Sequence, residues 1–136
     1  MATREQIVRE ARKWIGTPFV HLGRQRGLGI DCAGLALCVA RDLGLADWLE
    51  DYSIYSRQPV GDEVLRACRE RLQEKRQIEP GDVIVFRNPK SACHAAIASD
   101  KGIIHAHAGI GRVVETALDA KWRKRIAGIF SLPGVE

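Results

Sequence analysis

The spacing of apolar positions changes period once along the chain. Ile7, Val8, Ala11, Trp14 and Ile15 recur at helical spacing, which predicts an amphipathic helix with one buried face. Thr3 stands as its N-cap, and Gln6 three residues later completes a capping-box pattern. Gly16, Thr17 and Pro18 end it, and the stretch through Gly29, rich in glycine and arginine, reads as an ordered loop. A second helix is predicted from about Asp31–Cys32, with Leu35, Ala36, Val39 and Leu43 on one face and Gly44 as the stop. The segment from Ala46 to Glu63 is irregular, with a turn near Pro59–Gly61. A third amphipathic helix then places Val64, Leu65, Cys68 and Leu72 inward, and Glu79–Pro80–Gly81 forms a turn.

From Asp82 the pattern shortens. DVIVF, HAAIAS, GIIHAH, RVVE and IAGIFSL are β-rich runs separated by Asn-Pro, Asp-Lys-Gly, Gly-Ile-Gly and a charged turn. Helices followed by a strand meander predict an α+β fold, with N-terminal helices packed on a central antiparallel sheet of about five strands.

A chain of 136 residues is long enough for one hydrophobic core, so a single domain over residues 1–136 is expected. No uncharged apolar run reaches membrane-spanning length, so no membrane insertion is expected. The N-terminal residues MATREQIVREARKW are charged throughout, which argues against a secretory signal and for synthesis in the cytoplasm. The four cysteines, Cys32, Cys38, Cys68 and Cys93, include no CxxC pair and are expected to be reduced. A net charge of +4 is modest. With no phosphate-cradling loop and no basic stripe interleaved with aromatics, nucleic acid is not an expected partner, and no cofactor is expected.

The candidate chemistry begins at GIDCAGL. If Asp31 caps the second helix, Cys32 lies where unpaired backbone N–H groups and the helix dipole favour an anion, which raises the thiolate fraction. The same N–H groups suit an oxyanion on a bound carbonyl. A nucleophilic thiol also needs a base, and that base needs an orienting group. His94, His105 and His107 flank a tight turn near Ser99–Gly102, so their strands should pair antiparallel. One odd register sets His94 opposite His105 and the next sets it opposite His107; either puts all three on one face, whereas an even register scatters them. Each element also has an ordinary reading, Cys32 as a packed thiol and the histidines as satisfied semi-buried side chains.

GTPF…GIDCAGL, EPGDVIVF, CHAAIA and IIHAHAG, in this order, resemble the NlpC/P60 family of papain-like cysteine peptidases from about Trp14 to the C-terminus. The ending GRVVETALDAKWRKRIAGIFSLPG resembles the branch of phage tails and gene-transfer particles. The resemblance implies Cys32 as nucleophile, His94 as general base and His105 as the orienting residue. It further implies hydrolysis of amide bonds in peptidoglycan stem peptides, commonly between D-γ-glutamate and a diamino acid, with phage-tail proteins as further partners and no metal. Phe19 stands where the family commonly has tyrosine, Ala33 where it has serine, and Ala96 where it has glycine.

Arg24 and Arg26 are candidates for pairing with stem-peptide carboxylates, or are solvated loop charges. Phe19, Asp31 and His107 complete the candidate substrate-binding set, with Asp31 most simply a helix cap, and His21 lies near the same loop. Three rival readings remain at this level. Cys93, His94, His105 and His107 offer zinc donors, although Cys93 and His94 should point to opposite faces. A non-catalytic tail-assembly module would keep the same fold. Acyl transfer on lipids would call for an apolar groove or anchor, and neither is evident.

Overall fold

The computed structural model describes residues 2–45, 63–87 and 92–135, with Glu63, Ala92 and Cys93 described in backbone only. The expected turn near Pro59–Gly61 lies outside the described residues. Helix α1 spans Arg4–Arg12 and carries both halves of the capping box, Gln6 N–H to the Thr3 hydroxyl and the Gln6 side chain to Thr3 N–H. It buries Ile7, Val8 and Ala11. The helix is shorter than the apolar spacing predicts: Trp14 is buried beyond its end, but Ile15 is 46% exposed. Helix α2 runs Cys32–Asp42 and α3 Glu63–Arg71. Within the loop before α2, β1 (Arg24–Gln25) and β2 (Gly29–Ile30) form a small hairpin.

The main sheet has six strands in the order β3-β8-β4-β5-β6-β7. These are β3 (Gln73–Lys75), β4 (Val83–Arg87), β5 (Ala92–Ala98), β6 (Ile103–His107), β7 (Arg112–Thr116) and β8 (Ile126–Ser131), with the short helix α4 (Ala120–Arg123) between the last two. All its pairings are antiparallel. The extra strand relative to the sequence reading is β3. Its residues Gln, Glu and Lys carry no apolar alternation, and it gains its place by satisfying the backbone edge of β8. The meander also ends early: β8 does not extend past β7 but returns to pair with β4.

That return sorts the sheet into two faces. Val83, Val85, Ala95, Ile97, Ile104 and Ala106 join the main core with Ile7, Val8, Leu35 and Val39 of the helices. The alternate residues Ile84, Phe86, Ala96, Ala98 and Ile103 form a second cluster, covered by Leu118 and Trp122 of the β7–β8 connection and by Ile126 at the start of β8. A two-faced sheet buried on both sides explains why β4 reads as an unbroken apolar run.

One buried polar network closes the β3–β4 turn. Asp82 is fully buried. It accepts from Arg4 Nη1 at 2.8 Å and Glu79 N–H at 2.8 Å, and pairs with Lys75 Nζ at 2.9 Å. The network ties α1, β3 and the Pro80–Gly81 turn to the start of β4. Among the described residues, no helix is long and apolar enough to cross a membrane.

Candidate active site

Asp31 organises the entrance to α2. Its Oδ1 accepts the Gly34 N–H at 2.8 Å, as an N-cap should, and also meets Arg24 Nη1 at 2.9 Å. Its Oδ2 accepts the Leu22 N–H at 2.8 Å. This last bond holds Leu22 at φ 63°, a left-handed conformation that costs a side chain about 1–2 kcal/mol. Gly34 has no room for a side chain: a Cβ there would lie 2.5 Å from Arg24 Nη1 and 2.9 Å from Asp31 Oδ1. The GIDCAGL motif thus builds a rigid corner from which the chain enters α2 with Cys32 as its first residue.

Asp31 is 2% exposed and both its oxygens are engaged within the protein. These bonds give Asp31 the helix-cap role that is its simplest reading in the sequence. Arg24 is likewise turned onto Asp31 and the Gly23 carbonyl. Arg26 is exposed, and half-buried Phe19 packs at the margin of the main core. Phe19 N–H donates to Gly111 O at 2.8 Å, which fastens this loop to the β6–β7 turn.

Cys32 is half-buried, and none of Cys32, Cys38 and Cys68 is in a disulfide. The Cys68 thiol on α3 is pushed up to about 12, first by burial and then by the nearby Cys32. Helix α2 lies on β5 and β6.

The histidines are assembled by register. Ile97 lies opposite Ile104 and Ala98 opposite Ile103, an odd register that gives His94, His105 and His107 one common face. Continued toward His94, this ladder sets His107 opposite it. The hydrogen bond nevertheless runs to the diagonal neighbour: His94 Nε2 and His105 Nδ1 are 2.8 Å apart. Aromatic-sized side chains reach such diagonal partners across a twisted antiparallel pair. The face is the one that carries Phe86 and Ala96, not the one on which the helices pack. His94 itself sits at the irregular end of β5, where the pairing with β4 shifts register between Phe86 and Arg87.

Two residues that sequence reasoning missed complete the cluster. Thr116 Oγ1 on β7 lies 3.0 Å from His105 Nε2, so His105 is hydrogen-bonded through both ring nitrogens while fully buried. Trp122 stands over the group, with ring centroids 5.5, 5.3 and 6.0 Å from His94, His105 and His107 and 4.9 Å from Phe86. The one available signal for Trp122 was its oddity, a large aromatic inside the charged run KWRKR. Thr116 left no signal at all, since it closes an ordinary strand.

His107 has a different setting. Its Nδ1 accepts the Ile110 N–H at 3.2 Å, and its carbonyl accepts the Gly111 N–H at 2.7 Å. A Cβ at Gly109 would come within 2.9 Å of its ring. It is half-buried and anchored to the β6–β7 turn rather than joined to the His94–His105 bond.

Burial, then the neighbouring His105 and His107, lowers the pKa of His94 to about 3. Burial and then His107 lower that of His105 to about 4. Both rings are therefore neutral at neutral pH. Among the described residues, no group of three or more His, Cys, Asp or Glu side chains is arranged to hold a metal ion.

Comparison with known proteins places this arrangement. The NlpC/P60 family model matches residues 16–131. The gamma-DL-glutamyl hydrolase of Bacillus subtilis (strain 168) is 30% identical over 135 residues, which cover 90% of this chain. The chain spans 28% of that relative's length. Among solved structures, the NlpC/p60 domain of the peptidoglycan hydrolase SagA superposes with a TM-score of 0.67 at 25% identity, covering 96% of this chain and 100% of that one. NlpC2 from Trichomonas vaginalis gives a TM-score of 0.70 at 16% identity, covering 97% and 48%. With the fold, the motif order and a family match over most of its length in agreement, the chain belongs to the NlpC/P60 family.

Proposed function

We propose that this chain is a cysteine peptidase that hydrolyses an amide bond of the peptidoglycan stem peptide, the bond between D-γ-glutamate and a diamino acid. The observation that carries the reading is the 2.8 Å bond between His94 Nε2 and His105 Nδ1. It occupies one nitrogen of a neutral imidazole and leaves Nδ1 as the position that takes a thiol proton. Membership of a family that includes the peptidoglycan hydrolase SagA, and likeness to a gamma-DL-glutamyl hydrolase, support the substrate class.

In this mechanism Cys32 gives its proton to His94 Nδ1 as its sulfur attacks the carbonyl carbon. The oxyanion forms at the start of α2, where the Cys32 N–H and the helix dipole stabilise it. His94 passes the proton to the leaving amine, and the C–N bond breaks to give a thioester. Water, deprotonated by His94, then releases the acid and restores the thiol. Since α2 packs on the other sheet face, the reading requires His94 to meet the thiol at the irregular end of β5. A further element of the proposal is the setting, local wall opening by a phage or gene-transfer particle, which detection of the chain in purified particles would test.

Defined muropeptides incubated with wild type and Cys32→Ala, and analysed by mass spectrometry, decide the reaction. Cleavage by wild type and its loss in the variant are expected. Full cleavage by Cys32→Ala would end the reading.

A further inference from the structure

The pair of histidines is followed by a third hydrogen-bonding group, and the direction of the chain is fixed by the proton it has to carry. When His94 holds a proton at both nitrogens, its Nε2–H must be donated to His105 Nδ1. A neutral His105 that accepts at Nδ1 carries its own proton on Nε2. That N–H points at the Thr116 hydroxyl oxygen, 3.0 Å away, and His105 is 0% exposed. A buried N–H without an acceptor carries a heavy penalty.

The reverse arrangement is the inactive one. If His105 protonates at Nδ1 and donates to His94 Nε2, then His94 carries its proton on Nδ1 and has no lone pair there for a thiol. Both arrangements are neutral and use the same heavy-atom distances. They differ in the part the Thr116 hydroxyl plays: it accepts from His105 Nε2–H in the first and donates to a bare Nε2 in the second, and only the first is compatible with a His94 protonated at both nitrogens.

We propose that Thr116 is a positioning residue of this site, the terminal acceptor for the His105 Nε2–H that must be present when His94 takes up a proton at Nδ1. The inference rests on the reading of His94 as general base. The contact that assigns this role to Thr116 is the one with His105 Nε2. It acts through His105, and its hydroxyl, not its methyl group, does the work.

The test compares Thr116→Val, which keeps the shape and removes the acceptor, with Thr116→Ser, which keeps the acceptor. With a defined muropeptide as substrate, Thr116→Val is expected to lower kcat by about 10- to 100-fold with KM within about twofold, the size expected for one unpaired buried N–H in the transition state. Thr116→Ser is expected to stay within a few-fold of wild type. Long-range ¹H–¹⁵N spectra of the imidazole rings give a readout apart from turnover. Wild type is expected to show His105 protonated at Nε2, and Thr116→Val a shift toward protonation at Nδ1. Wild-type kcat in Thr116→Val, equal losses in Val and Ser, or an unchanged His105 tautomer would each overturn the proposal. If Cys32→Ala remained active the general-base reading would fail instead, and the tautomer spectra would still judge Thr116.

Discussion

Two buried polar networks sit at opposite ends of β4 and β5, and they are built on opposite principles. Around Asp82 a carboxylate is matched by Arg4 and Lys75 and by a backbone N–H. Its charge is compensated on several sides, and its work is to close a turn. Around His94 no described counter-charge is bonded to the rings. The links are imidazole to imidazole to hydroxyl, and burial keeps both rings neutral. A network saturated with charge has nothing left to exchange, whereas a neutral chain can accept a proton and pass its consequences along. Burial is common to both networks; what separates them is that one is charge-compensated and the other neutral.

The contrast is sharpest in single substitutions. His94→Gln should lower peptidase activity by at least about 10³-fold, in the range general-base catalysis supplies, while urea denaturation finds its stability within about 1 kcal/mol of wild type. Asp82→Ala should do the opposite. Removing the buried partner of Arg4 and Lys75 should cost about 3 kcal/mol of stability, with specific activity of the folded fraction preserved. A large activity loss in folded Asp82→Ala, or a large stability loss in His94→Gln, would erase the distinction.

Acid should separate the two networks next. The unfolded chain binds a proton on each ring near the ordinary histidine value, while folded His94 and His105 wait until about 3 and about 4. The unfolded state therefore holds more protons in that window, and stability falls as pH drops below about 6.5. The loss should be about 1.4 kcal/mol per pH unit for each ring and should level off below the folded values. Urea denaturation between about pH 7 and pH 5 measures it, and His94→Gln should flatten the slope. An unchanged slope in that variant would assign the acid sensitivity elsewhere.

The smallest effect is expected at the surface. Arg26→Ala should alter stability by less than about 0.5 kcal/mol, because the side chain is exposed. If Arg26 contacts a stem-peptide carboxylate, KM for the muropeptide rises while kcat holds. No change in KM would leave it a solvated loop charge.

Much of the scaffold was legible before any coordinates. The Thr3–Gln6 capping box, Asp31 as the cap of α2, the turn at Pro80–Gly81 and the strands from Val83 onward are local statements, each decided by a few neighbouring residues. Alternation also constrained the histidines to share a face in any odd register. The shortfalls were of another kind. Strand β3 is polar and exists because β8 offers it an edge, so no local pattern announces it. The further bonds of Asp31 to Leu22 N–H and Arg24 also come from the folded loop and not from the cap pattern.

By itself, then, the sequence determined the helices, the turns, the period of the strands and a thiol at the mouth of α2, since these follow from local propensity and spacing. Only the tertiary structure decided that His94 bonds diagonally to His105, that Thr116 terminates the chain and that Trp122 covers it. Those contacts join β5, β6, β7 and the connection to β8. Their distances depend on register, twist and the return of β8 to β4, which are properties of the assembled sheet and of no segment within it.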